Sequence, residues 1–218
     1  METEVKLAFN SKEELFGILD TEWFGHYCLD TSEKEPMQLS NTYYDTDDRI
    51  ITNRGGSIRV RLYESDEESN HYEHTVKFGG SVNNGLHQRY EWNNLSESNE
   101  FNFSDFRKAV IESGDPSELL DEVLEGVTEA NLKPLVSTEF ERTIYVLGFG
   151  DSMMEACFDY GKIIVGDKFE TICELEIELT EGDVVDLQDL ASYIADHSGA
   201  TPYNDSKFHR CLRLLDEE

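Results

Sequence analysis

The stretch Glu2-Thr3-Glu4-Val5-Lys6 decides the fold. It reads acid, acid, base at every second residue, with Val5, Leu7 and Phe9 in the alternate positions. Successive side chains of a strand point to opposite faces. Glu2, Glu4 and Lys6 therefore share one face and the apolar residues share the other.

The same arrangement recurs along the chain. Arg59 and Arg61 alternate with Ile58, Val60 and Leu62, and Glu73, Thr75 and Lys77 alternate with Tyr72, His74, Val76 and Phe78. His87, Arg89 and Glu91 alternate with Leu86, Gln88, Tyr90 and Trp92; Glu155, Cys157 and Asp159 form a weaker case. Glu174, Glu176 and Glu178 alternate with Leu175, Ile177 and Leu179. Two architectures produce such strands. An open sheet packs its apolar face on helices and wets its charged face. A closed sheet turns the charged faces inward and the apolar faces out toward helices. Alternation alone leaves both open. Same-face carboxylates of one strand lie about 7 Å apart, and their repulsion is expected to raise at least one carboxyl pKa unless cations intervene. Glu176, in the middle of its stack, is then expected to be dispensable for the stability of the metal-free protein.

The 218 residues suffice for one domain with a good core, residues 1–218. No apolar run approaches the ~20 residues of a membrane span, and no basic start followed by an apolar stretch marks an export signal. Cys28, Cys157, Cys173 and Cys211 show no CxxC spacing, which points to reduced, packed cysteines and a cytoplasmic location. The formal charge of −29 excludes nucleic acid as a partner. It does not exclude a small anion, because Arg59, Arg61, Lys77 and Arg89 all fall on the polar faces described above. A basic interior within an acidic shell would admit a small anion and reject a large one. The sequence leaves oligomeric state open, a homodimer included.

Ser11, with Glu14 three residues on, predicts a helix over 11–23. Strands are expected at 39–45, 134–147, 153–159, 163–165 and 169–179. Asp47 to Gly56 reads as a turn region and Gly79 to Gly85 as a hairpin turn. Residues 103–124 read as one or two helices broken near Gly114-Asp115-Pro116. Further helices are expected at 184–197 and 205–214. The six histidines form no metal-ligand spacing.

In order along the chain, these motifs resemble the triphosphate tunnel metalloenzymes, or CYTH superfamily. Glu2-x-Glu4-x-Lys6 resembles its ExExK signature, Tyr43-Tyr44-Asp45-Thr46 its YFDT strand, Arg59-x-Arg61 its paired arginines and Thr75-Val76-Lys77 its TxK strand. Arg89-Tyr90-Glu91 resembles its RxE strand, Arg142 its later arginine, Asp159-Tyr160-Gly161 its D-x-G turn, Glu174-x-Glu176-x-Glu178 its ExExE strand, and Ser206-Lys207 with Arg210 its C-terminal motif. The resemblance implies an α+β fold, a closed eight-stranded antiparallel β-barrel with helices packed outside, so it favours the closed sheet. It implies metal-dependent hydrolysis of a triphosphate, with inorganic tripolyphosphate first. Class IV adenylyl cyclase, thiamine or nucleoside triphosphatase, and a non-catalytic polyphosphate-binding module are the alternatives. The stretch at 173–183 is most similar to bacterial inorganic triphosphatases, which often carry a C-terminal helical CHAD domain; the expectation here is a chain without one.

Under that resemblance Glu2, Glu4, Asp159, Glu174, Glu176 and Glu178 would bind Mg²⁺ or Mn²⁺. Glu174, Glu176, Glu178 and Lys6 would be catalytic, with the base among the three glutamates unassigned. Lys6, Arg59, Arg61, Lys77, Arg89, Arg142, Lys207 and Arg210 would bind phosphate, for which arginine's fork is suited. Asp159 reads equally as a metal ligand or a lysine's partner, and Arg210 equally as a phosphate contact or a surface ion pair. Glu91 and Glu139 read as partners of tunnel arginines. Arg142 shares parity with Phe140 and Ile144, so a bulge is needed to turn it inward.

Overall fold

The computed structural model describes residues 1–63, 71–114 and 116–217. Among these residues nine strands are formed: β1 (Glu2–Ala8), β2 (Met37–Asp45), β3 (Gly56–Tyr63), β4 (His71–Asn83), β5 (Leu86–Ser96), β6 (Lys133–Phe149), β7 (Ser152–Val165), β8 (Lys168–Glu181) and the two-residue β9 (Thr201–Pro202). Their order is β5-β4-β3-β2-β6-β7-β8-β1, with β9 added beside β1. β1 also pairs with β5, which closes eight antiparallel strands into a ring. The first strand is thus the closing strand. It sets Glu2 opposite Arg89 of β5, and Glu4 and Lys6 opposite Glu178 and Glu176 of β8.

Helices cover the apolar outer face. α1 (Lys12–Gly17), α2 (Glu22–Gly25) and α6 (Val184–Ser198) pack Leu15, Phe24, Leu190 and Ile194 onto Leu7, Leu147, Phe158 and Leu175. On the opposite side α3 (Ile50–Asn53), α4 (Phe103–Ser113) and α5 (Glu118–Leu124) pack Ile51, Phe106 and Val123 onto Ile58, Val60, Val76 and Trp92. The last helix, α7 (Lys207–Asp216), differs: Phe208, Cys211 and Leu212 pack with Leu39, Tyr43, Phe140, Ile163 and Ile172. Ile163 and Ile172 share strand parity with Asp159 and Glu174, so α7 plugs the ring from its inner face. Among the described residues no helix is long and apolar enough to cross a membrane, and the four cysteines are free.

Several local expectations are revised. The helix expected over 11–23 breaks into α1, a 3₁₀ turn (Ile18–Asp20) and α2. Ser11 caps as expected, accepting from Glu14 N. Gly17 is a weak helix former, and the Thr21 hydroxyl donates to Ile18 O at 2.6 Å while accepting from Phe24 N, which starts a new helix. Within the expected turn at 47–56, α3 forms because the buried Asp45 carboxylate accepts from Ile51 N, Thr52 N and Thr52 Oγ1. The hairpin turn is only Asn84-Gly85, both at positive φ. Gly79 and Gly80 sit inside β4 as an irregularity in its pairing with β5. Asp115, at the expected helix break, lies outside the described residues.

The expected strands at 153–159 and 163–165 are one continuous β7, so Asp159-Tyr160-Gly161 is mid-strand and not a turn. Gly161 is needed there for close approach. A Cβ on it would stand 2.2 Å from Glu139 O and 2.4 Å from Phe140 Cα. Gly161→Ala is expected to destabilise the fold by about 1–3 kcal/mol through overpacking, lowering the thermal midpoint by several degrees. An unchanged midpoint would contradict the close β6–β7 contact.

Candidate active site

The inward faces of the strands enclose a cavity of about 340 Å³. Glu2, Glu4 and Lys6 come from β1, Arg59 and Arg61 from β3, Glu73 and Lys77 from β4, Arg89 and Glu91 from β5, Arg142 from β6, Glu155 and Cys157 from β7, Glu176 and Glu178 from β8, and Lys207 from α7. Arg142 reaches it without the expected bulge. The only irregularity in the β2–β6 pairing lies at Tyr43/Tyr44, opposite Val136 and Pro134. The face of β6 carrying Phe140, Arg142 and Ile144 is simply the inner one, and its apolar members pack on α7 or line the cavity. Glu139 is on the outer face, 3.2 Å from Lys162, and does not meet the arginines as expected.

The interior charges form three paired groups. Beside α7, the Lys207 ammonium donates to Asp159 at 2.6 Å, to Glu174 and to Glu176 at 2.8 Å. Arg142 grips Asp159 through two bonds of 2.7 and 2.6 Å and donates to Glu176 at 2.6 Å. Lys6 donates to Glu176. Arg210 binds Glu174 at 2.8 Å and Glu170 at 2.7 Å, fastening α7 to β8. Asp159, Glu174 and Glu176 offer oxygens within 4.8 Å of one another, but the Lys207 charge already sits among them. Asp159 is therefore a lysine's partner in this arrangement.

Around β1, Glu2 accepts from Lys77 at 2.8 Å and from Arg89 at 2.7 Å. Glu4 accepts from Arg89 at 2.7 Å and lies 3.0 Å from Lys6. Lys77 also meets Glu91 at 2.5 Å. On β3 and β4, Arg59 donates to Glu73 at 2.7 Å and to Thr75 Oγ1 at 2.8 Å, and Tyr63 donates to Glu73 at 3.2 Å.

Three charges stand apart among the described residues: Arg61, Glu178 and Glu155, the last lining the cavity opposite Glu178 with no side-chain hydrogen bond or ion pair. Arg61 donates to the Asn41 side chain at 2.9 Å, and its one carboxylate among the described residues, Glu73, is 3.9 Å away. Burial, Arg59 and Arg142 push its pKa down. Arg59 Nε is buried without a hydrogen-bond partner. Glu178 makes no side-chain hydrogen bond or ion pair among the described residues, and faces Glu4 and Glu155 across the neighbouring strands. Burial, with Glu2, Glu4 and Glu91 nearby, raises its carboxyl to about 7.

The rest of the stack divides. Burial raises the pKa of Glu174 despite its cations. Burial acts the same way on Glu176, but Lys207, Lys6 and Arg142 together hold its pKa well below the usual range. The expectation that Glu176 is dispensable for stability is therefore reversed, since its loss would strip the partner of three buried cations. Burial disfavours the charge of Lys6, but Glu176 and Glu4 outweigh it and raise the pKa to about 12.

Glu73, Asn41 and Tyr63 have no site role assigned from the sequence alone. Strand parity placed Glu73 on a charged face, and its pairing opposite Arg61 was the missing signal. His74 and His87 are buried and hydrogen-bonded to Ser98 O and Tyr203 O, the satisfied state expected of them.

The CYTH domain family matches residues 1–212. The chain belongs to the CYTH family. The match fits the geometry: the ordered CYTH motifs are what line this ring. An inorganic triphosphatase of Haemophilus influenzae is 31% identical over 191 residues, covering 86% of this chain and 47% of that protein. The CYTH chain thus spans about half the length of that relative. Among solved structures, a candidate adenylyl cyclase from Hippeastrum described as having a dominant triphosphatase activity aligns with a TM-score of 0.66 at 16% identity, over 98% of this chain and 96% of that one. A candidate adenylate cyclase from Bacillus halodurans aligns at 0.60 and 18% identity, over 96% of each chain. These two likenesses establish the fold alone.

The isolation of Glu178 gives a pH dependence. The unfolded carboxyl titrates near 4.5 and the folded one near 7. Between these values the folded state binds more protons, so this group lowers stability as pH rises from about 4.5 to 7. With chelator present, Glu178→Gln is expected to gain on the wild type by on the order of 1–2 kcal/mol between pH 5 and 8. Thermal unfolding at the two pH values checks it; parallel curves would contradict the isolation of Glu178.

Proposed function

We propose that this CYTH ring hydrolyses a triphosphate, inorganic tripolyphosphate first, to diphosphate and phosphate with Mg²⁺ or Mn²⁺. The observation that carries the reading is the presence of uncompensated charges of both signs in one small cavity. Arg61, with the orphaned Nε of Arg59 beside it, is ready for an anion, and Glu178 beside Glu2 and Glu4 is ready for a cation. The likeness to an inorganic triphosphatase supports it.

The donor set fits the metal. Glu2, Glu4 and Glu178 offer the hard carboxylate oxygens that Mg²⁺ and Mn²⁺ take, and no protein cation pairs with Glu178. These three residues would hold the ion, whereas Asp159, Glu174 and Glu176 are occupied by Lys207. When bound, such an ion supplies neutralisation of phosphate charge and acidification of water. The protein's own contribution is positioning and charge. Arg59 and Arg61 hold non-bridging oxygens, with Lys77 and Arg89 beside them on the next two strands, β4 and β5. Lys6 stays protonated and supplies positive charge beside Glu4. Arg142 and Lys207 are held by Asp159 and Glu176 and fix the plugged end.

The cavity favours an inorganic substrate over a nucleotide. The aromatic surfaces at the plugged end are used in packing, with Phe208 stacked on Tyr43 at 5.0 Å and against Phe140. The remaining wall is mainly charged. Phosphate release from tripolyphosphate, ATP and thiamine triphosphate, compared side by side, tests this. Tripolyphosphate is expected to be the best substrate, turnover to stop with chelator, and Mg²⁺ or Mn²⁺ to restore it. Full turnover in metal-stripped protein would overturn the metal reading, and preference for ATP would overturn the substrate.

Arg61→Ala is expected to raise KM for tripolyphosphate about 10–100-fold, the worth of one charge-assisted hydrogen bond. Its thermal midpoint should stay near the wild type's, because Arg61 has so little pairing to lose. Unchanged KM would remove Arg61 from the anion site.

A further inference from the structure

The ion pairs around β1 set two assigned roles against each other. Glu2 and Glu4, which would hold the ion, are the partners of Lys77 and Arg89, which would hold phosphate. Arg89 is the most fully engaged, with Nε on Glu2 and Nη2 on Glu4, each at 2.7 Å. Lys77 has a second partner in Glu91, at 2.5 Å. An anion entering alone meets Lys77 and Arg89 already neutralised. A divalent ion entering alone must compete with both for Glu2 and Glu4. Freeing either side singly leaves a buried charge without a partner, which is costly.

We propose that Glu2 and Glu4 exchange partners during loading. They leave Arg89 and Lys77 for the divalent ion, while Arg89 and Lys77 turn to the phosphate oxygens. No buried charge is then stranded, and the ion and the triphosphate each raise the other's affinity by the same factor, as linkage requires. Lys77 keeps Glu91 as a resting partner, so Arg89 is the residue whose pairing changes most. This exchange presupposes the triphosphatase reading and adds to it that the ring is built to take metal and triphosphate together.

The test uses imidotriphosphate, which resists hydrolysis, and Mn²⁺. Binding of imidotriphosphate is measured by calorimetry with chelator and with Mn²⁺, allowing for their complex in solution, and Mn²⁺ alone is titrated by electron paramagnetic resonance. The wild type should bind imidotriphosphate about tenfold or more tightly with Mn²⁺. Glu2→Gln should bind it more tightly than the wild type in chelator, because Lys77 and Arg89 each lose one of two carboxylate partners and keep only Glu91 and Glu4, and should show weaker coupling. Arg89→Gln should bind Mn²⁺ alone more tightly than the wild type, because a competitor for Glu2 and Glu4 is gone. Circular dichroism confirms folding; if Glu2→Gln does not fold, the Mn²⁺ titration of Arg89→Gln decides. Binding without coupling, or Glu2→Gln binding no more tightly in chelator, or Arg89→Gln gaining no Mn²⁺ affinity, would overturn the exchange alone. No imidotriphosphate binding even with Mn²⁺ would overturn the triphosphatase reading and the exchange with it.

Discussion

A charge inside a folded protein must find a partner or lose its charge, because burial removes its hydration. This constraint organises the whole interior. Closing the sheet turns the charged faces of β1, β3, β4, β5 and β8 inward, and the register then matches acids to bases between strands. Glu2 of β1 meets Arg89 of β5, Lys6 meets Glu176 of β8, and Arg142 of β6 meets Asp159 of β7. A one-residue slip would send these groups into the outer apolar layer and the leucines into the cavity. The same pattern that makes the site therefore fixes the pairing of the strands.

The plug follows from the same constraint. Asp159, Glu174 and Glu176 crowd together where β7 meets β8. The chain supplies its own cations to them, Lys207 and Arg210, from the last helix. α7 is thereby attached by charge as well as by Phe208, Cys211 and Leu212. What is left after this internal matching, among the described residues lining the cavity, is an under-compensated arginine on β3 and two facing carboxylates without a cation, Glu155 on β7 and Glu178 on β8. The paired residues around them supply geometry.

Much of this was legible in the sequence. Period-two alternation identified the inward residues of β1, β3, β4, β5 and β8, because each of those strands keeps charge on one face and hydrocarbon on the other. It failed on β6, where Phe140 and Ile144 share the inner face with Arg142. That face is apolar because a helix enters the ring and packs on it, and no local pattern announces such a long-range event. It failed also on β7, read as two strands around Gly161, because a glycine that permits close approach of β6 looks like a turn glycine in one dimension. The division of the acids was hidden for a similar reason. Glu174, Glu176 and Glu178 are equivalent in spacing, and only the neighbouring strands and α7 decide that Glu176 has three cations and Glu178 none. Glu73 went unassigned because its importance lies in standing across from Arg61 in the closed sheet.

The most direct measurement is a crystal structure with Mn²⁺ and imidotriphosphate, with the ion located by its anomalous scattering. One Mn²⁺ peak is expected at Glu2, Glu4 and Glu178, with phosphate oxygens on Arg59 and Arg61, and Lys207 still among Asp159, Glu174 and Glu176. A peak in the place of the Lys207 ammonium, or a ligand bound outside the ring, would contradict it.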